Sequence, residues 1–130
     1  YVDVTAEVKQ FLAARIAAAE QAGVPPERIL IDPGIGFGKT DTHNLQLLRD
    51  LSVLTTPGRP VVVGASRKGF IGRTTGESTD GRFGTAATVA WSVANGASLL
   101  RVHEVEPMIR VVKMIEAIRF PHAPMVVLPV

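Results

Sequence analysis

The stretch VVVGAS, residues 61–66, is the strongest indicator of the fold in this chain of 130 residues. Its continuous apolar run predicts a strand buried on both faces, as in parallel sheets flanked by helices. Two similar runs predict further strands, RILID over Arg28–Asp32 and SLLRVH over Ser98–His103. Because helical patterns separate the three strands, we expect a parallel α/β arrangement with right-handed crossovers.

Four segments with helical spacing of apolar residues accompany these strands. They cover residues 4–22, 42–51, 85–95 and 106–119. Asp3 is placed to cap the first helix and Gly23 to end it. In the second helix, Leu45, Leu48 and Leu51 are predicted to face inward.

The rest of the chain is predicted to be irregular. A loop rich in glycine, threonine and arginine covers residues 67–84, with a mobile tip at 74–82. Residues 120–130 hold three prolines and are predicted to form an extended tail. Three parallel strands cannot close a barrel, and no strand precedes the first helix. We therefore expect residues 1–119 to be the C-terminal half of a (β/α)8 TIM barrel, with a small open sheet as the alternative.

Composition and charge exclude several classes of protein. Hydrophobic residues make up 46% and charged residues 20%, as in folded globular domains. No apolar run approaches the roughly 18 residues of a membrane span, and no secretory signal pattern is present. A net charge of +2 with few aromatic residues argues against nucleic acid binding. The absence of cysteine excludes disulfides and thiolate metal sites, and it fits a cytoplasmic protein.

The stretch DPGIGFGKT, residues 32–40, ends like a phosphate-binding loop but does not match one. Pro33 occupies the position at which a P-loop requires glycine, and proline offers no N–H to an anion. Lys39 occupies the position of the third glycine in the dinucleotide fingerprint. What remains is the carboxylate of Asp32 at the end of a buried strand, followed by a turn that glycine permits.

Polar side chains follow all three predicted strands, where parallel α/β folds place their active sites. They are Asp32 after the first strand, Ser66, Arg67 and Lys68 after the second, and Arg101 and His103 at the end of the third. Arg101 and His103 are two residues apart and therefore point to the same face. The cations suit an anion such as phosphate, whereas the carboxylate can accept paired N–H donors from a planar heterocycle.

Each of these residues also has an ordinary structural explanation. Asp32 can cap the following turn, and Ser66 can cap a helix. Arg101 can pair with Glu104 or Glu106, and His103 can be a hydrogen-bonded core residue. Their occurrence at three successive strand ends favours a functional site. His43 and His122 lack the spacing of metal ligands and are interpreted as structural or surface residues.

Three ordered stretches, DPGIGFGKTDTHN, VVVGASRKGFIG and LLRVHEV, resemble the C-terminal portion of the dihydropteroate synthase family. The first helix and the stretch GTAATVAWSVANGASLLRVH are also similar to that family. The resemblance covers nearly the whole chain except the tail. It implies a (β/α)8 barrel that condenses a dihydropterin pyrophosphate with p-aminobenzoate in folate synthesis, a reaction targeted by sulfonamides.

The resemblance also implies roles for single residues. The pterin is expected at Asp32, Lys68, Arg101 and Gly64, and the pyrophosphate at Arg101 and His103. The aminobenzoate is expected at Phe37, Ser66 and Arg67. Lys68, Arg101 and His103 are the expected catalytic residues.

The same resemblance implies Mg²⁺ as cofactor, held by an asparagine on the first barrel strand, and it assigns no metal ligand to this chain. It also implies a homodimer through the later helices, where Ala86, Ala90 and Ala94 repeat beside the apolar Trp91. This chain alone is expected to bind pterin weakly and to be inactive. Two alternatives stay open: the pterin-binding domain of a folate-dependent methyltransferase, and a non-catalytic half-barrel binding module.

Overall fold

The sheet pairs β1, Val61–Val63, in parallel with β2, Ala97–Leu100. This computed structural model describes residues 1–55, 58–76 and 81–122. Val63 lies opposite Leu100, and a helical crossover joins the two strands. The predicted mixed α/β class with parallel strands is confirmed.

Six α-helices accompany this sheet in the described part of the chain. In chain order they are α1 Val4–Gln21, α2 Asp41–Arg49, α3 Leu51–Leu54, α4 Gly69–Thr75, α5 Arg82–Ala94 and α6 Val105–Arg119, with a 3₁₀ turn at Pro26–Arg28. Asp3 caps α1 as predicted, because its carboxylate accepts the N–H of Ala6 at 3.0 Å. Among the helices in the described part of the chain, none is both long and apolar enough to cross a membrane.

One hydrophobic core lies between β1 and the first four helices. Its fully buried members include Ile35, Leu47, Leu51, Leu54 and Val61. The second predicted helix was partly misassigned, because Leu45 is 43% exposed and the neighbouring Leu47 is completely buried. The helix also ends at Arg49, and Leu51 belongs to the separate short helix α3.

The predicted strand over Arg28–Asp32 is wrong in extent. Only Ile31 pairs with the sheet, as a single parallel bridge to Val61. Its N–H donates to Pro60 O at 3.0 Å, and its carbonyl accepts from Val62 at 2.8 Å. Pro33 has no N–H, so it cannot extend this ladder beyond Asp32.

The other two predicted strands are also shorter than expected. The strand over residues 61–66 ends at Val63, because the chain turns and Lys68 N donates to Ala65 O at 3.2 Å. The strand over residues 98–103 covers Ala97–Leu100, although Arg101 N still donates to Val63 O at 3.0 Å. Both shortened strands still lead directly into the polar residues predicted to follow them.

The predicted loop over residues 67–84 contains α4. Phe70 and Ile71 are buried in the core, which stabilises a helix whose glycine and threonine content is unfavourable. The hydroxyls of Thr74 and Thr75 donate to carbonyls one turn back. Gly76 ends the helix at φ +71°, the left-handed conformation that favours glycine.

Two boundaries of the later helices also differ from the prediction. Helix α5 begins at Arg82, three residues before the predicted start, and α6 begins at Val105. Residues 77–80, within the predicted mobile tip, and residues 123–130 of the predicted tail lie outside the described residues.

Candidate active site

The carboxyl ends of the paired segments place the predicted polar residues at one edge of the sheet. Asp32 follows the bridge residue Ile31, Ser66–Lys68 lie in the turn after β1, and Arg101 and His103 follow β2. Since Ile31, β1 and β2 run parallel, these three segments leave the sheet on the same side.

The glycine-rich loop over residues 34–38 forms the first wall. Gly34, Gly36 and Gly38 have φ angles of +69°, +80° and +58°, which a residue with a Cβ adopts only under strain. The buried Asn44 accepts the N–H of Gly36 at 2.7 Å and fixes the middle of the loop. Asp32 Oδ1 accepts the N–H of Gly34 at 2.8 Å, so Asp32 does cap this turn with one of its oxygens.

Lys39 holds the loop closed from within. Its Nζ donates to Gly34 O at 3.0 Å and to Phe37 O at 3.1 Å. Burial lowers the pKa of Lys39, and the nearby carboxylate of Asp32 partly opposes that shift. The lysine therefore binds carbonyl oxygens of its own loop, which supports the exclusion of a phosphate-binding P-loop.

Lys68, the residue directly before α4, contacts the same loop. Its Nζ donates to Ile35 O and lies 4.2 Å from the centre of the Phe37 ring, a cation–π geometry. Burial lowers the pKa of Lys68, the charge of Arg101 lowers it further, and Asp32 opposes both. Asp32, Arg101 and Lys68 are thus electrostatic neighbours, although they come from three separate segments of the chain.

Arg101 lies against the backbone of β1 because Gly64 has no side chain. A Cβ at Gly64 would lie 2.9 Å from Arg101 Nη2 and 3.1 Å from its Nε. Gly36 serves Lys68 in the same way, since a Cβ there would lie 2.5 Å from Lys68 Cδ. The two glycines therefore create the space in which the two cations lie.

Ser66 and His103 join the ends of β1 and β2. Ser66 Oγ and His103 Nδ1 are 3.0 Å apart, and His103 N–H donates to Ser66 Oγ at 3.3 Å. His103 is exposed, so it is not a core histidine. Ser66 is not a helix cap either, because α4 begins after Lys68 without a side-chain cap. The ordinary explanations for both residues are therefore wrong.

Arg67 is held by contacts from two other elements. It is the one non-glycine residue with positive φ in the described part of the chain, at +56°, and its N–H donates to Thr85 Oγ1 at 3.1 Å. Its Nη2 donates to Glu104 Oε2 at 2.8 Å, and Arg82 Nη2 donates to Glu104 Oε1 at 2.6 Å. The pairing of Arg101 with Glu104 is therefore not observed. Glu106 pairs with Arg110 instead.

The residues at the strand ends do not fit a magnesium ion. No group of three His, Cys, Asp or Glu side chains suited to a metal occurs within the described ranges. Cations from Lys39, Lys68 and Arg101 dominate the edge, and Asp32 already accepts a backbone N–H. Mg²⁺ prefers oxygen ligands, and this edge offers mainly cations.

A family model described as pterin binding enzyme matches residues 1–103. The chain belongs to this family. It is 42% identical over 120 residues to the dihydropteroate synthase of Synechocystis sp., covering 91% of this chain and 42% of that protein. It is 38% identical over 118 residues to the dihydropteroate synthase of Escherichia coli, covering 90% of this chain and 42% of that protein. The resemblance found in the sequence is confirmed.

Solved structures agree with this membership of the pterin binding enzyme family. A dihydropteroate synthase from Xanthomonas albilineans in complex with 7,8-dihydropteroate superposes with a TM-score of 0.90 at 43% identity, covering 95% of this chain and 47% of that chain. A Yersinia pestis dihydropteroate synthase with a sulfonamide drug superposes with a TM-score of 0.89 at 34% identity, covering 93% of this chain and 44% of that chain. This chain therefore spans less than half the length of each of these four relatives.

Within this family member, the structure brings together every predicted site residue at the same sheet edge. Phe37 is 64% exposed, and its ring faces Lys68. The structural parts of the site that the sequence pattern did not indicate are Lys39, Asn44 and Glu104. Glu104 could have been predicted from the sequence, because it directly follows His103 at a strand end.

His43 has the structural role predicted for it. It forms a reciprocal cap with Thr40 at the start of α2, in which His43 N donates to Thr40 Oγ1 at 3.2 Å. Its ring also contacts Tyr1 edge-on, with the ring centres 5.2 Å apart. His122 is exposed, as expected for a surface residue.

Proposed function

We propose that this chain is the C-terminal half of a dihydropteroate synthase barrel, with residues 1–119 forming the half-barrel and residues 120–130 its tail. The observation that carries the proposal is the convergence of Asp32, Lys68 and Arg101 beside the exposed ring of Phe37. Relatives solved with 7,8-dihydropteroate and with 4-aminobenzoic acid support it. The activity is proposed for the native polypeptide that carries this chain, and a cytoplasmic location stays a prediction.

The proposed reaction joins 6-hydroxymethyl-7,8-dihydropterin pyrophosphate to p-aminobenzoate. The amine nitrogen attacks the methylene carbon of the pterin, a C–N bond forms, and the C–O bond to pyrophosphate breaks. Pyrophosphate leaves with the electron pair, and the amine loses one proton. Because negative charge grows on the leaving group, preorganised cations beside it lower the barrier. Arg101 and His103 are proposed to supply that stabilisation.

The pterin is proposed to bind between the two cations and the carboxylate. Asp32 can accept two N–H donors from the pyrimidine edge with its carboxylate. Lys68 can donate to the ring carbonyl when its ammonium leaves Ile35 O. Arg101 can lie over the flat face of the ring, in the space that Gly64 opens.

The aminobenzoate is proposed to bind at the turn after β1. The ring of Phe37 offers an apolar contact for the benzene ring. The Ser66 hydroxyl and the Arg67 guanidinium can receive the carboxylate, since both donate hydrogen bonds.

Condensation by the native polypeptide tests this proposal. We expect product formation from dihydropterin pyrophosphate and p-aminobenzoate, and a loss of about 100-fold or more in kcat/KM for Lys68→Met and for Arg101→Met. The matched controls are Lys113→Met and Arg110→Met on the exposed side of α6, which should retain activity. Tight binding of methyltetrahydrofolate without condensation would favour the methyltransferase alternative.

A second copy of the chain is proposed to cover the groove between α2, α4 and α5. The groove is lined by apolar side chains that include Leu45, Leu48, Phe70, Ile71 and Trp91. Trp91 is 50% exposed although its Nε1 donates to Leu48 O at 2.8 Å. Such exposed apolar surface on a barrel's outer helices is typical of subunit contacts.

Sedimentation of the native polypeptide tests the dimer. Leu45→Glu places a charge in the groove and should convert a dimer into a monomer. Phe11→Glu changes an apolar residue on α1 that is 61% exposed, against 43% for Leu45, and that does not line the groove, so it should leave the dimer intact. A monomer for the unmodified protein at high concentration would contradict the proposal.

A further inference from the structure

We infer that Glu104 is a positioning residue, whose carboxylate holds the guanidinium of Arg67 at the aminobenzoate end of the site. The inference rests on the proposed function, because it concerns how the aminobenzoate carboxylate is received. It adds a residue that touches no proposed substrate and acts through Arg67.

The carboxylate of Glu104 holds the guanidinium of Arg67 in place. One carboxylate oxygen accepts from Arg67 Nη2 at 2.8 Å, and the other accepts from Arg82 Nη2 at 2.6 Å. Arg67 follows β1 and Arg82 begins α5, so the carboxylate links two elements to the segment after β2. Hydrogen bonds from both guanidinium groups lower the pKa of Glu104, which keeps the carboxylate charged.

The backbone of Arg67 is fixed by separate contacts. Its φ of +56° is sparsely populated for a residue with a side chain, and its N–H donates to the buried Thr85 hydroxyl. The preceding Ser66 is hydrogen-bonded to His103, the residue before Glu104. Two consecutive residues at one strand end are therefore bonded to two consecutive residues at the next. Glu104 is the member of this set that holds the long arginine side chain.

A role in folding stability explains these contacts less well. The Arg67 and Glu104 side chains retain 39% and 29% of their exposure, and exposed ion pairs contribute little to stability. Glu104 is the N-cap residue of α6, yet its side chain makes no capping bond to that helix. Its carboxylate is directed towards the two arginines instead. Restricting Arg67 before the substrate arrives reduces the entropy lost on binding the aminobenzoate carboxylate.

The kinetic test uses Glu104→Gln in the native polypeptide, with Glu106→Gln as the matched control. Glu106 is two residues away, in the first turn of the helix that Glu104 precedes, and pairs with the exposed Arg110. For Glu104→Gln we expect KM for p-aminobenzoate to rise by about fivefold to tenfold, with kcat and the KM for the pterin substrate within about twofold. Glu106→Gln should change none of them. An unchanged KM, or an equal effect on both substrates, would overturn the inference.

A double-mutant cycle separates action through Arg67 from a general disturbance. In an Arg67→Gln background, Glu104→Gln should add less than about a further twofold to KM, because the group it positions is gone. Independent, multiplicative effects of the two substitutions would show that Glu104 does not act through Arg67.

A second measurement does not depend on turnover. The Nη2–Hη2 NMR signal of Arg67, assigned with Arg67→Lys, should be resolved in the unmodified protein and in Glu106→Gln, because Nη2 is the atom that donates to Glu104. It should be lost to solvent exchange in Glu104→Gln, and its persistence there would refute the positioning role. If condensation fails while the signal behaves as expected, the proposed function is wrong and the contact of Glu104 with Arg67 stands.

Discussion

Gly36→Ala tests whether the glycine loop exists to make room for Lys68. Gly36 has a φ of +80°, and a Cβ at this position would lie 2.5 Å from Lys68 Cδ and 3.2 Å from its Cε. Real Cβ contacts are not this short, so the lysine side chain must move away. It would then lose its contacts with Ile35 O and the Phe37 ring. Gly38→Ala is the matched control, because Gly38 has a φ of +58° and nothing within 4 Å of its Cβ position.

The two variants separate backbone strain from displacement of the lysine. A side chain in the left-handed region costs about 1–2 kcal/mol, and replacing glycine returns about 0.4–1 kcal/mol by restricting the unfolded chain. Both variants should therefore lose about 1 kcal/mol of unfolding free energy. A hydrogen bond from a charged group contributes about 1.5–3 kcal/mol, so a displaced Lys68 should weaken pterin binding about 10- to 100-fold in Gly36→Ala alone.

Calorimetric titration with dihydropterin pyrophosphate and thermal unfolding together measure both quantities in the native polypeptide. Equal losses of affinity in the two variants would show that loop conformation, and not the position of Lys68, governs binding. Normal affinity in Gly36→Ala would show that the lysine reaches the ligand by another path. Either result would contradict the proposal that Gly36 makes room for Lys68.

Three further predictions concern groups at the same edge. Gly64→Ala should leave the free energy of unfolding unchanged or raise it by up to about 1 kcal/mol. The added Cβ should displace Arg101 and weaken pyrophosphate binding about tenfold, which calorimetric titration measures. Hydrogen bonding from Arg73 lowers the pKa of Asp41 below 3.8 in the folded protein. The ionised Asp41 carboxylate therefore stabilises the fold above pH 3.8, and this stabilisation is lost as the pH falls through the lower folded-state pKa. Acid unfolding of Asp41→Asn should lack this decline, whereas an unchanged acid transition would contradict it. Burial lowers the pKa of Lys39 below 10.5 in the folded protein, so the unfolded chain binds more protons between that lower pKa and pH 10.5. The free energy of unfolding should therefore rise with pH over this range. Denaturant titrations of Lys39→Met should show a smaller rise.

The order of elements could be read largely from local patterns. Hydrophobic spacing located α1, α5 and α6 to within a few residues, because an amphipathic stripe is visible in consecutive sequence. The run at Val61–Val63 indicated a buried parallel strand for the same reason. Helix α4 was missed because its low helix propensity is overcome by burying Phe70 and Ile71 against residues distant in sequence.

The site was also partly predictable. Polar residues at three strand ends were visible in the sequence, and the topology of parallel strands requires these ends to lie at one edge. The partners of those residues were not visible. Lys68 contacts a carbonyl 33 positions earlier, and Glu104 pairs with Arg67, 37 positions earlier.

Local sequence patterns were enough to predict the class of fold, the edge on which the polar groups lie and the family of the chain. The folded arrangement was needed to show which cation lies against which glycine, which carboxylate holds which arginine, and how far each strand extends. The reason is physical, because helix and strand patterns depend on neighbours within a few residues. Side-chain contacts between separate segments depend on packing, which sets their distances only after the core has formed.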